Sequence, residues 1–142
     1  MLRFFYKVIY EKKDGTGSEF NLGIFSTKAN ANLKIDKSLN CPGFNNKDCF
    51  KIIKFGVKVP NNVKKSNLTL YSVVHEYSIE ENDEIYDIFN VFDIFSTKID
   101  AKEKITALKE HSRLGRKYPN NFEISEIVVD NFLYWSEGYT NY

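Results

Sequence analysis

The sequence predicts an α+β protein made of tandem β-β-α-β repeats, with about six strands and two helices related by pseudo-twofold symmetry. Three observations lead there. Ile24-Phe25-Ser26-Thr27-Lys28 recurs unchanged as Ile94-Phe95-Ser96-Thr97-Lys98. In a chain this short, such a match has roughly a few chances in a hundred of arising at random. Residues on either side of the two pentapeptides also align in turn, as expected of one unit written twice. Finally, each pentapeptide follows runs rich in β-branched and aromatic residues and precedes apolar residues at helical spacing.

The elements follow in chain order. Phe5-Tyr6-Lys7-Val8-Ile9-Tyr10-Glu11 lies over Leu70-Tyr71-Ser72-Val73-Val74-His75-Glu76, and both read as strands. The next turn is Lys13-Asp14-Gly15-Thr16-Gly17 in the first copy, where Asp-Gly suits a tight hairpin. In the second copy it reads as a longer, acidic loop over residues 78–87. Residues 20–25 then match residues 90–95 as the second strand. At the Ser-Thr-Lys junction a hydroxyl can accept from an orphan amide of a helix's first turn. Asp100, three residues after Thr97, adds a capping-box pattern. Ala31, Ile35 and Leu39 form one helical stripe, and Ala101, Ile105 and Leu108 the other. Asn30, Asn32 and Asn40 make the first helix the weaker former. The helices end at Cys41-Pro42-Gly43-Phe44 and in a turn over residues 115–121. The third strand, Phe50-Lys51-Ile52-Ile53-Lys54-Phe55, then matches Phe122-Glu123-Ile124-Ser125-Glu126-Ile127. Residues 60–67 are polar enough to link the copies. The division is therefore a repeat at residues 1–65 and a second at 66–142 with an aromatic tail, expected to pack as one compact domain, with two side-by-side minidomains as the alternative.

Twelve Phe, nine Tyr and one Trp among 142 residues supply a core without covalent staples. Two cysteines, Cys41 and Cys49, are too few for a disulfide framework and point to reduced thiols in a cytoplasmic protein. No run has the length of a signal peptide or membrane span, so no membrane partner is expected.

The net charge of +1 hides a split. Residues 1–65 carry 13 Lys and Arg against 5 Asp and Glu, and residues 66–142 carry 7 against 14. Glu76, Glu80, Glu81, Asp83, Glu84, Asp87 and Asp93 follow one another with no Lys or Arg among them. Charge runs often serve only solubility. A patch this concentrated also fits a basic partner protein, which it would steer and select. The basic half raises nucleic-acid binding as the alternative. Its strands, however, alternate lysine with aromatics as a core-in, charge-out pattern would, and no nucleic-acid-binding signature is present.

Catalytic constellations are missing. His75 takes the place of Tyr10 and reads as an aromatic substitute, and His111 falls near a helix end, where it suits the dipole. Cys41 would need a neighbouring base to act as a nucleophile, and Cys49 reads as a small apolar filler. Gly15-Thr16-Gly17 lacks the Lys-Ser/Thr of a phosphate loop. The expectation is a non-enzymatic protein with no cofactor and no metal. A ligand-binding or enzymatic pocket between the repeats is the third option.

The segment Asp130-Asn131-Phe132-Leu133-Tyr134-Trp135-Ser136-Glu137-Gly138-Tyr139-Thr140-Asn141-Tyr142 has no counterpart in the first copy. Its aromatics either cap the core or form a binding platform. With Ile94-Phe95-Ser96-Thr97, Phe122, Asp130 and Trp135-Ser136-Glu137-Gly138-Tyr139, the second copy resembles a small bacterial and phage domain family of unknown function. The Pro-Gly-Phe turn of that family stands in the first copy, at Pro42-Gly43-Phe44. The resemblance implies a small non-enzymatic module of microbial or mobile-element origin. The expected function is neutralisation of a partner protein by steric occlusion, as by an immunity protein or a phage-type inhibitor. Glu80, Glu81, Asp83, Glu84 and Asp87 would contact a basic surface, with Trp135, Glu137 and Tyr139 near the contact. A homodimer is a further option.

Overall fold

A computed structural model describes residues 1–13, 19–135 and 138. Its α+β architecture has six strands in two antiparallel sheets and three helices. The order is β1 (Leu2–Glu11), β2 (Glu19–Phe25), α1 (Lys28–Ser38), β3 (Phe50–Lys58), β4 (Thr69–Glu81), β5 (Glu84–Phe95), α2 (Lys98–His111), α3 (Arg113–Lys117) and β6 (Phe122–Val128), with one 3-10 turn at Lys47–Cys49. The Asp14-Gly15 turn lies outside the described residues.

Each sheet has its first strand in the middle: β2-β1-β3 in one and β5-β4-β6 in the other. In the first, Tyr6 pairs with Phe25 and the register slips between Val8 and Ile9. In the second, Tyr71 pairs with Phe95 and the slip falls between Val73 and Val74. Over β3 and β6, seven successive residues share one sequence of burial, from Phe50 and from Phe122.

Both helices start as the hydroxyl pattern requires. Thr27 Oγ1 accepts from the Asn30 amide at 3.1 Å, and Thr97 Oγ1 from the Asp100 amide at 3.2 Å, each satisfying one orphan first-turn donor. Two differences from the sequence expectation have physical causes. A third helix, α3, replaces part of the turn expected after residue 115, because Ser112 ends α2 and at once caps the next helix through the Gly115 amide. The expected acidic loop over residues 78–87 is mostly strand. Asn82 and Asp83, with φ of 55° and 65°, close it as a two-residue turn, since both tolerate left-handed backbone.

The chain divides into two compact units. One contains Met1–Leu68 and the described residues from Val128 onward; the other is Thr69–Ile127. The first unit has its core between the sheet and α1, formed by Val8, Tyr10, Leu22, Phe25, Ala31, Ile35, Phe44 and Cys49. In the second, Leu70, Val73, Val74, His75 and Ala101 are buried. The seven Lys and Arg of Thr69–Ile127 all fall within residues 98–117, so that unit joins an acidic hairpin to basic helices.

Candidate functional site

The β4–β5 hairpin carries the acidic residues singled out by the sequence. Its strands run 13 and 12 residues because alternation of branched and aromatic side chains continues through the carboxylates. Glu80, Glu81, Asp83, Glu84 and Asp87 are all exposed. Glu81 stands opposite Glu84, and Glu80 opposite Ile85. Two carboxylates are held by local donors: Ser78 Oγ donates to Asp87 Oδ1 and Tyr86 Oη to Glu84 Oε2, both at 2.5 Å. The second bond raises the Tyr86 phenol above its ordinary value. No Lys or Arg interrupts this surface between residues 76 and 93.

Sequence reasoning passed over Ile85, Phe89 and Val91, three exposed apolar residues that share the hairpin's Glu80 and Asp87 face. The signal was the period-two run Ile85-Tyr86-Asp87-Ile88-Phe89-Asn90-Val91, hidden by reading residues 78–87 as loop.

Trp135, the other named contact residue, lies in the first unit. Its ring packs edge-on against Phe20 and Phe44 at 5.5 and 6.1 Å, and its indole N–H donates to the Asn21 carbonyl at 3.0 Å. Phe132 packs on Phe25 at 5.3 Å. Glu137 and Tyr139 lie outside the described residues. Gly138 shows why its motif needs glycine. Its φ is 73°, and a Cβ there would stand 2.3 Å from the Pro42 carbonyl oxygen. Trp135 and Gly138 thus both meet the Pro42-Gly43-Phe44 turn.

The tail is fixed by polar contacts as well. Asp130 accepts from the Ser26 amide at 2.8 Å, the Ser26 hydroxyl at 2.6 Å and the Asn30 amide group at 3.2 Å. Its own N–H donates to the Ile24 carbonyl at 2.9 Å. Lys34, 2% exposed, donates its ammonium to the carbonyls of Phe132 and Tyr134. Burial pulls its pKa below the ordinary lysine value; Lys37 acts in the same direction and Cys41 in the other.

Several lysines of the basic half are similarly engaged. Lys65 donates to the carbonyls of Ser26 and Phe4 at 2.6 and 2.9 Å. Lys51 pairs with Glu11 at 2.6 Å. Lys54 and Lys37 sit over the Phe4 and Phe132 rings at 4.6 and 5.3 Å.

His75 is fully buried among Tyr77, Phe92, Tyr118 and Phe122. Because a carbonyl can only accept, its Nε2 donates to the Tyr118 carbonyl at 3.0 Å, leaving Nδ1 as an unpartnered acceptor. The ring fills an aromatic slot. Cys49 belongs to the core cluster and Cys41 borders it. Among the described residues no group of three His, Cys, Asp or Glu is placed to hold a metal, and no helix is long and apolar enough to cross a membrane. An open depression of about 320 Å³ beside β4, lined by Glu76, Tyr77, Ser78, Asn121, Phe122 and Glu123 among others, contains no histidine or cysteine.

No family model, curated protein or solved structure matches the chain.

Proposed function

We propose that the protein is a non-enzymatic binding module whose acidic β4–β5 hairpin engages a basic surface on another protein and neutralises it by occlusion, in the manner of an immunity protein or a phage-type inhibitor. One observation carries this reading: seven carboxylates and exposed apolar side chains share a hairpin without a cation. Complementary charge of this kind speeds encounter and selects partners. The microbial or mobile-element origin that its motifs imply fits such a role, as does a cytoplasmic location. Nucleic-acid binding is second, since Lys34, Lys51, Lys54 and Lys65 are occupied within the fold. We also infer that the matching strand orders, slip positions and helix caps descend from one duplicated unit, with the pseudo-twofold pairing such copies favour.

Affinity capture with the wild-type chain and an E80K/E81K/D83K variant, followed by binding of the purified pair at low and high salt, tests the assignment. Loss of roughly tenfold or more in the variant, and weakening with salt, is the expected result. Equal capture by both removes the hairpin from the mechanism.

A further inference from the structure

The hairpin register fixes where the main chain of β5 points. A two-residue turn at Asn82-Asp83 makes Glu81 and Glu84 the closing hydrogen-bonded pair. Antiparallel pairs then alternate, so Glu80–Ile85, Ser78–Asp87, Glu76–Phe89 and Val74–Val91 are the non-bonded pairs. An independent contact agrees. The Glu76 N–H and C=O both bond Asn121, at 3.2 and 2.8 Å, on the side of β4 away from β5. It follows that the N–H and C=O groups of Ile85, Asp87, Phe89 and Val91 point outward, along the outermost strand of the sheet. Their side chains form the exposed stripe on one face, where Ile85, Phe89 and Val91 are 74, 60 and 51% exposed. The matching edge strand of the first unit is handled differently, for β2 has the Asp130 amide on its Ile24 carbonyl and the Trp135 indole on its Asn21 carbonyl.

A long edge with unpaired main-chain groups is a template for strand addition. Charge decides what can add. Glu84, Asp87 and Asp93 give β5 three carboxylates and no cation, so two such edges meeting would set like charges together, which opposes self-pairing. Resting on the reading that the acidic hairpin binds a protein, we propose that β5 is a strand acceptor. An extended segment of the partner, aliphatic opposite Ile85, Phe89 and Val91 and carrying Lys or Arg opposite Asp87 and Glu84, pairs with the outward main chain of β5.

The test uses the full chain, labelled with ¹⁵N, and a synthetic peptide, acetyl-Val-Thr-Val-Thr-Lys-Thr-Val-Lys-amide, written to lie antiparallel from Val91 to Glu84. A second peptide is N-methylated at the four residues opposite Ile85, Asp87, Phe89 and Val91. The first peptide is expected to slow amide exchange at those four residues by roughly tenfold or more, while Tyr86, Ile88 and Asn90, already bonded to β4, change little. N-methylation should abolish both protection and binding. If the two peptides bind equally and only E80K/E81K/D83K weakens them, edge pairing is overturned and the acidic surface stands as a binding site. No binding of the first peptide also overturns edge pairing, leaving the capture experiment to judge the hairpin. Protection of the same amides in the free chain, growing with concentration alongside a dimer in sedimentation, would assign the edge to a second copy and overturn the proposal.

Discussion

Ser26 has every polar atom engaged: its amide and hydroxyl donate to Asp130, and its carbonyl accepts from Lys65. The Ser of the repeated pentapeptide therefore does more than precede a helix cap, since it ties α1 to a segment more than a hundred residues away. Asp130→Ala leaves Ser26 and Asn30 without that acceptor and should cost about 1.5–3 kcal/mol by urea denaturation, the range for hydrogen bonds to a charged group. Lys34 supplies a pH prediction. Its folded pKa lies below the ordinary 10.5 of the unfolded chain, so between those two values the unfolded state holds more protons and stability rises with pH. Comparison of wild type with Lys34→Met by urea unfolding, from neutral pH to just below pH 10.5, isolates this contribution from those of Lys65, Lys51 and Tyr86. The wild type should gain on the variant as pH rises; a constant difference would show that burial does not depress the lysine. Neither contact could be read from sequence, because a lone Asp and a lone Lys carry no pattern that names a distant carbonyl or hydroxyl.

The elements were more legible than the contacts. Period-two and helical spacing placed three strands and the first helix of each unit, since those signals come from which side chains face a core. The hairpin was misread because carboxylates depress strand propensity locally, whereas the chain continues as strand through cross-strand pairing of Ile79 with Tyr86 and Tyr77 with Ile88. The apolar stripe of β5 was lost with it. The turn residue Asp83, at φ 65°, gives a sharp test. Asp83→Gly should stabilise the protein by about 0.5–1 kcal/mol, because glycine adopts that backbone without steric cost, and a thermal melt would register the gain. Gly115 gives the opposite test. A Cβ there would lie 1.9 Å from the Leu108 carbonyl oxygen, so Gly115→Ala should force α2 and α3 apart. Their junction should then lose amide-exchange protection, with overall destabilisation of about 3 kcal/mol.

At the scale of the molecule, sequence order and spatial unit do not coincide. The described residues from Val128 onward belong with Met1–Leu68, and Thr69–Ile127 is inserted between the two parts of that unit. A sequence boundary near residue 65 follows the repeat, while the spatial one follows Phe132 and Trp135, whose rings border the first core. Trp135→Ala should cost about 2–3 kcal/mol, less than a fully buried tryptophan because the ring is only partly buried. The loss should appear in exchange rates of β2 and α1 and spare the β4–β5 hairpin. Uniform loss across both units would contradict that placement. The same connectivity sets an order of events on the ribosome. A nascent chain displays β1 to β3 long before the residues that lock them have been synthesised, whereas Thr69–Ile127 is made in one uninterrupted stretch. The chain's first three strands must therefore wait, through the synthesis of the whole inserted unit, for the Asp130 carboxylate and the Trp135 ring that complete them.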